Sequence, residues 1–289
     1  MAAVGPIFRS GVAVSDAPEL KLGPTRQRVT RGMVRAGFIW LVVWPAGLAA
    51  QAPAPDPHAV EPERPSVATH AGTVAAGWLE IEGGIERDRD AGGTHTAIVP
   101  VELKIGLAPR LQLNLQMPFV RPAGETMQAG DLAIGCKWRL VEQAPIVGAF
   151  AILPSIKVPS GAAELSTGTT DVNLLFISSH AFGPVDMDLN VGYLRRSGDG
   201  TAAPREASMW AAAFGGPARG PLGWAAEVYG YPQTSGPAGT ASIVAFLGGP
   251  TVQVRTWLAL DTGVIVPISG PQPRALYFGG VYNVGKIWN

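Results

Sequence analysis

Apolar and polar residues alternate along residues 111–119, which read Leu-Gln-Leu-Asn-Leu-Gln-Met-Pro-Phe. Every odd position in this segment is apolar, whereas the even positions hold two glutamines, one asparagine and one proline. Because successive side chains of a β-strand point to opposite faces, one face of this segment is hydrocarbon and the other is largely amide. The same period of two returns in residues 131–140, where Asp131, Lys137 and Arg139 share the second face. A chain that repeats this pattern is typical of a membrane barrel with a polar interior.

Segments of this strand-like character follow one another after residue 72. The predicted strands are residues 73–87, 95–107, 111–120, 130–142, 146–158, 169–181, 185–196, 206–217, 222–233, 240–249, 251–267 and 274–288. Most have about 10–15 residues, which matches a tilted strand that crosses a bilayer. Their number is even, so an antiparallel barrel can close with both chain ends on the same side.

The links between these segments alternate in length. Short links lie at residues 108–110, 143–145, 183–184, 218–221 and 249–250, and longer links lie at 88–94, 121–129, 159–168, 197–205, 234–239 and 268–273. Outer-membrane barrels alternate short turns and long loops in this way, whereas the Greek-key links of a β-sandwich do not. The sequence therefore predicts an all-β fold, a transmembrane antiparallel up-and-down β-barrel of about 12 strands, formed by residues 71–289.

The apolar phase of the strands is predicted to face lipid, and the polar phase is predicted to line the lumen. The candidate lumen residues are Gln112, Asn114, Gln116, Asp131, Lys137, Arg139, Lys157, Asp171, Asn173, Asp186, Asp188, Asn190, Glu227, Arg255 and Asp261. They are interpreted either as contacts for a solute or as a polar network that holds the barrel shut. The narrow lumen of a barrel of about 12 strands favours the network for most of them. Aromatic residues near strand ends are interpreted as interfacial girdles rather than core, among them Trp78, Trp138, Trp257, Tyr229, Tyr231 and Trp288.

The first 50 residues have the pattern of a secretory signal peptide. A basic segment at 26–35 precedes an apolar run at 36–50 that ends in small residues. A membrane-spanning helix needs about 20 apolar residues, so this run favours cleavage near Ala50 over an uncleaved anchor. A second methionine, Met33, leaves open whether translation starts there.

Residues 51–70 separate the signal peptide from the barrel. They carry five prolines and few large apolar side chains. Proline removes a backbone donor, and the segment has little to bury, so a flexible leader is predicted. A short ordered plug is the alternative.

Composition and charge argue against several classes of function. Six of the 22 Lys and Arg and two of the 22 Asp and Glu precede residue 51, which leaves 16 bases, 20 acids and a net charge of −4 in the rest. No basic patch favours nucleic acid. Cys136 is the single cysteine and the four histidines are scattered, so no disulfide, metal or cofactor is predicted. No catalytic residue is assigned and the chain is not predicted to be an enzyme, although Ser178 and His180 share the outward phase, as in a barrel lipid hydrolase.

Several segments carry a family resemblance. Residues 130–139 begin Gly-Asp-Leu and end Gly-Cys-Lys-Trp-Arg, residues 153–161 read Leu-Pro-Ser-Ile-Lys-Val-Pro-Ser-Gly, residues 168–172 read Gly-Thr-Thr-Asp-Val, and Leu-Asp-Thr-Gly at 260–263 is followed by Gly-Gly-Val-Tyr at 279–282. With these motifs, residues 70–289 resemble the outer-membrane transporter family named for the MetA pathway of phenol degradation. The resemblance implies a β-barrel and a role in the uptake of hydrophobic or aromatic compounds, and it implies no catalytic or ligand residues.

These features predict a channel or transporter for small solutes, aromatic or hydrophobic ones among them, in the cell outer membrane of a Gram-negative-type bacterium. The alternatives are a structural or plugged barrel without transport and an outer-membrane lipid-modifying enzyme. The expected partners are outer-membrane lipid, a small-molecule solute and the barrel assembly machinery, but not nucleic acid. Barrel proteins usually end in an aromatic residue that this machinery recognises, and here Trp288 is next to last.

Overall fold

The computed structural model describes residues 56–197, 205–232 and 242–288. The predicted signal peptide, with its cleavage near Ala50, lies outside the described residues. Within these ranges the chain forms the strands β1 (Trp78–Arg89), β2 (His95–Ala108), β3 (Leu111–Arg121), β4 (Gln128–Ala129), β5 (Leu132–Val141), β6 (Ala149–Val158), β7 (Asp171–Phe182), β8 (Val185–Arg196), β9 (Glu206–Arg219), β10 (Leu222–Tyr231), β11 (Ile243–Arg255), β12 (Leu258–Ser269) and β13 (Arg274–Lys286). In this part of the chain, no helix is long and apolar enough to cross a membrane.

The sheet closes on itself. Each long strand pairs antiparallel with its neighbours in sequence, and β1 pairs with β13 as well as with β2. Ile81, for example, lies between Leu103 of β2 and Tyr282 of β13. The two-residue β4 pairs only with the end of β3 and is an addition to the twelve-stranded barrel. The predicted fold class, a transmembrane antiparallel up-and-down barrel, is therefore confirmed.

The boundary between β11 and β12 differs from the prediction. The Gly249-Pro250 pair was expected to form a short link, but β11 continues through it to Arg255. The ladder between β11 and β12 has no paired positions at Gly249 and Pro250, so the missing N–H of proline is tolerated there. An added Cβ at Gly249 would lie 2.0 Å from the Thr262 oxygen, which explains why glycine precedes the proline.

The outer surface of the barrel is apolar. Ile156, Val172 and Leu276 are 49%, 56% and 64% exposed, although each is paired with a strand on both sides. The neighbouring positions in these strands face inward and are buried, for example Lys157 and Asp171. Exposed hydrocarbon outside and buried charge inside indicate that lipid, not water, surrounds the strands.

Residues 56–70, the described part of the proline-rich segment, belong to an ordered plug and not to the predicted flexible leader. Residues 56–74, called the plug below, lie inside the barrel, where Val67, Ala71 and Val74 are almost fully buried. A flexible leader was predicted because the segment has few large apolar side chains to bury. Its prolines prevent the backbone from pairing as a regular β-strand. The described segment is nevertheless ordered, because side chains of the wall bind its backbone N–H and C=O groups.

Candidate functional site: the plugged lumen

Most of the candidate lumen residues are buried inside the barrel. The buried ones are Gln112, Asn114, Gln116, Asp131, Lys137, Lys157, Asp171, Asn173, Asn190, Glu227 and Asp261. Arg139 and Asp188 are half-buried, and Asp186 and Arg255 are exposed near the short turns. The structure thus brings most of the candidates together inside the barrel and leaves out those at the rim next to the short turns.

The plug enters the lumen from the short-turn end and returns to that end. At its start, the Val60 N–H donates to the Thr256 oxygen in the turn between β11 and β12, at 2.8 Å. At its end, the Val74 N–H donates to Gln112 Oε1 near the start of β3, at 2.7 Å. Between these points the chain crosses to β10, β8 and β7, so it forms a loop that spans the lumen.

Side chains of the wall replace the missing backbone partners of the plug at the middle of this loop. The two carboxylate oxygens of Glu227 accept the N–H groups of Val67 and Ala68, both at 2.7 Å. Asn190 accepts the Thr69 N–H and donates to the Thr69 oxygen, both at 2.9 Å. Buried backbone groups need such partners, so these contacts fix the position of the plug.

Replacing Glu227 by Gln is expected to loosen this part of the plug. The amide offers one oxygen where the carboxylate offers two, so one of the Val67 and Ala68 N–H groups loses its acceptor. An unsatisfied buried donor costs about 1–3 kcal/mol, so the exchange of these two amides should accelerate roughly tenfold to a hundredfold. Hydrogen–deuterium exchange of the folded barrel measures this. Asn173→Ala, which removes a lumen contact to Ser155 of the wall and none to the described plug residues, is the control, and equal exchange in both variants would contradict the role of Glu227.

Lys137 is the wall cation that binds the plug most extensively. Its ammonium group pairs with the Glu63 carboxylate and donates to Thr69 Oγ1, the His70 oxygen and the Gly72 oxygen, the last three at 3.0–3.1 Å. The side chain is fully buried, and each of these partners belongs to the plug. Lys137 therefore holds three separate parts of the loop at one point of the wall.

A second lysine, Lys104, joins the plug to the wall through carboxylates of β1. It pairs with Glu80 at 2.6 Å and with Glu82, and it also donates to the Glu61 oxygen of the plug. In turn, the N–H groups of Glu61 and Glu63 donate to Glu80 and Glu82, each at 2.8 Å. Wall and plug share one network, in which buried charges have opposite charges beside them.

His70 adds no charge to this network at neutral pH. Removal from water and the nearby Lys137 ammonium lower the pKa of His70 to about 3. Its Nδ1 accepts the Gly72 N–H at 2.9 Å, so the remaining proton of the neutral ring is on Nε2. Nε2 lies 3.8 Å from the Glu61 carboxylate. The ring thus shapes the turn of the plug at Gly72 without competing with the two lysines for carboxylates.

A separate charged cluster lies near the long links. Lys157 pairs with Asp131 at 2.7 Å and with Asp171 at 3.2 Å, and all three side chains are buried. Asp131 also accepts the Gly161 N–H at 3.0 Å, which ties the link between β6 and β7 to the wall. None of these contacts involves the plug, so this cluster holds the wall and its links together.

An apolar cluster occupies much of the remaining lumen. Its members are Val67, Ala68 and Ala71 of the plug and, on the wall, Ile98, Ala133, Ala151, Leu153, Leu175, Ile177, Met209, Ala211, Ala213, Tyr229, Tyr231, Ile243, Ala245, Leu247, Ile265, Ala275 and Tyr277. The rings of Tyr229 and Tyr231 meet edge to face with centroids 6.2 Å apart. These two tyrosines were predicted to form part of an interfacial girdle and instead face the lumen, because they share the phase of Glu227 along β10.

Some lumen residues are not among those predicted from the sequence. Glu80, Glu82 and Lys104 follow the same period of two as the predicted residues, so their pattern was sufficient to find them. The apolar residues that face the lumen do not alternate with polar ones, so the period of two does not identify them. The unbroken apolar run at 174–177 does indicate a strand that is buried on both faces. Glu63 has no periodic signal, because the plug is not a strand.

Ser178 and His180 meet on the outer face but do not form a nucleophile and base. Ser178 Oγ lies 2.9 Å from His180 Nε2, and it donates its only proton to the Val147 oxygen at 2.8 Å. His180 Nε2 must then donate to Oγ, so this nitrogen cannot accept the serine proton. The arrangement does not favour the lipid-modifying enzyme.

Comparisons with known proteins indicate the fold of the chain. No protein-family model matches the sequence, and no curated protein matches it. Among solved structures, the chain is similar to an outer membrane channel from Pseudomonas putida F1, with a TM-score of 0.56 and 12% identity over 74% of this chain and 97% of that chain. It is less similar to the KdgM porin, with a TM-score of 0.48 and 9% identity over 70% of this chain and 98% of that chain.

Proposed function

We propose that this chain is an outer-membrane channel for small solutes, aromatic or hydrophobic ones among them, and that the plug is its gate. The observation that carries the proposal is that the lumen is filled by a loop of the same chain, bound through hydrogen bonds and ion pairs. Such contacts break and re-form without unfolding the wall, whose strands pair only with each other. Lipid around the apolar outer surface and the fold shared with the Pseudomonas putida channel support the location.

The chemistry of the lumen supports the class of solute. When the plug leaves, Tyr229, Tyr231 and Tyr277 remain on the wall beside aliphatic side chains such as Leu247 and Ile265. Aromatic side chains bind other rings by edge-to-face and offset stacking, and polar residues on the same wall keep the passage hydrated. The resemblance to the family of the phenol-degradation pathway points to the same class of solute.

Solute flux into liposomes tests this proposal. Phenylalanine and glutamine are suitable probes, because both are zwitterions that cross lipid slowly and they differ in the side chain. Vesicles that contain the folded barrel are expected to take up phenylalanine faster than empty vesicles do, and faster than they take up glutamine. A variant that lacks residues 56–74 should admit both probes more rapidly. Equal rates for the two probes would remove the proposed preference for aromatic solutes.

A permanently plugged barrel is the second candidate. It is favoured by the near-complete burial of Val67, Ala68 and Ala71 in the apolar cluster, which resembles the core of a soluble protein. The same flux experiment separates the two candidates. If neither the complete barrel nor the variant without residues 56–74 exceeds empty vesicles, although heat-modifiable migration shows that both are folded, the protein is not a channel.

A further inference from the structure

Four arginines lie together on the outer surface of the barrel, next to the long links. Arg87 and Arg89 are on β1, Arg121 ends β3 and Arg274 begins β13, and all four are exposed. Each has the outward phase of its strand, because positions of the opposite phase in these strands are buried, for example Asp88, Gln116 and Ala275. The cluster therefore lies at the edge of the apolar surface rather than in the lumen.

The strand register arranges these arginines in two rows. Arg89 is directly opposite Arg274, and Arg87 is opposite Ala97, which is opposite Arg121. Neighbouring strands are about 5 Å apart, so the Cα atoms of Arg87 and Arg121 are roughly 10 Å apart with only a small alanine between them. Like charges at opposite positions of a sheet destabilise it unless an anion neutralises them.

No carboxylate of the described residues pairs directly with these arginines. None of the four arginines forms an ion pair with a described residue, and the nearby Asp90 and Glu125 form hydrogen bonds within their own links. The outward Arg195, at the same end of β8, differs in this respect, because it lies opposite Glu206 of β9. Four unpaired arginines beside two carboxylates, Asp90 and Glu125, thus give this side of the barrel an excess of positive charge.

A groove on the outer surface contains one of the two rows of this cluster, and the other row, Arg89 and Arg274, lies outside its lining. The groove has a volume of about 840 Å³, lies between residues 92–97 and 121–125, and includes Ile85, Arg87 and Arg121 in its lining. On the side toward the middle of the membrane, Ile85, Leu276 and Phe278 are 50%, 64% and 54% exposed. A lipid with an anionic headgroup has the same arrangement, because its charge lies above its hydrocarbon chains. The headgroup can therefore contact the arginines while the chains contact the apolar side chains.

We propose that this groove, together with the neighbouring pair of Arg89 and Arg274, binds a phosphorylated glycolipid of the outer leaflet. One phosphate lies between Arg87 and Arg121, a second phosphate lies at Arg89 and Arg274, and the acyl chains contact Ile85 and Leu276. Guanidinium groups bind phosphate through paired, charge-assisted hydrogen bonds, so two arginines at each phosphate form a strong site. The inference rests on the location in the outer membrane but not on transport, so absence of solute flux leaves it standing.

Native mass spectrometry of the purified complete barrel tests the inference. The probes are lipid A with two phosphates and the same lipid after removal of both phosphates. The diphosphorylated lipid is expected to bind at least tenfold more tightly, and R87Q/R121Q and R89Q/R274Q should each lose at least tenfold in affinity. R195Q, at an arginine that faces a glutamate, is the matched control and should bind as the unchanged chain does.

Three outcomes would overturn the proposal. They are equal binding of the two lipids, unchanged affinity in both double variants, and displacement of the lipid by an equal concentration of inorganic phosphate. The last result would identify a site for a free anion and not for a lipid. The four side chains lie outside the barrel wall, and heat-modifiable migration verifies that each variant is folded before its affinity is compared.

Discussion

A Lys137→Met variant is expected to conduct ions steadily where the unchanged barrel is closed for most of the time. The substitution keeps the length of the side chain and removes its contacts to Glu63, Thr69, His70 and Gly72. Breaking a buried ion pair costs about 3–5 kcal/mol, which corresponds to a shift of roughly a hundredfold or more between closed and open states. Single-channel recording in planar bilayers measures the open fraction directly.

The chain offers a matched control for this variant. Lys157→Met makes the same change at another fully paired lysine of the lumen, whose carboxylate partners, Asp131 and Asp171, are both on the wall. It should reduce the stability of the barrel and leave the open fraction low. If Lys157→Met opens the channel as much as Lys137→Met does, loss of wall structure explains the current, and the plug is not the gate.

The two faces of the barrel wall could be predicted from the sequence, because each side chain of a strand points either to the lumen or to the lipid. The alternation in residues 111–119 places Gln112 and Asn114 on one side whatever the neighbouring strands are, and the structure has both in the lumen. The rule fails where both phases are apolar. Leu175 and Ile177 face inward, and Leu174 and Phe176 face outward, so polarity alone does not separate the two faces of β7.

The position of the plug could not be predicted from the sequence in this way. Its position depends on partners far away in the chain, such as Glu227, which lies 160 residues after Val67. Nothing in the local pattern of residues 56–74 marks these contacts, because the plug supplies mainly backbone groups and the specificity comes from the wall. Composition correctly indicates that this segment has no regular secondary structure of its own, but the absence of regular structure is not flexibility when a surrounding wall binds the backbone.

Replacing Lys104 by Met is expected to destabilise the wall itself. Lys104 lies beside Glu80 and Glu82, and the methionine would leave these two buried carboxylates of β1 without their cation. The free energy of unfolding should fall by about 3–5 kcal/mol, the range for a buried pair that loses one partner. The urea concentration at the midpoint of unfolding in lipid vesicles, read from tryptophan fluorescence, measures the change.

The cause of this loss can be separated from the loss of packing. Glu82→Gln introduced into the Lys104→Met barrel removes one unpaired charge, so the double variant should recover part of the lost stability. Full additivity of the two losses would contradict a pairing role for Lys104. Lys137→Met should cost the wall much less, because its carboxylate partner, Glu63, belongs to the plug and retains Lys104 at 3.7 Å. The two lysines are only two strands apart along the wall, yet we expect the loss of Lys104 to affect mainly the stability of the barrel and the loss of Lys137 to affect mainly its closure.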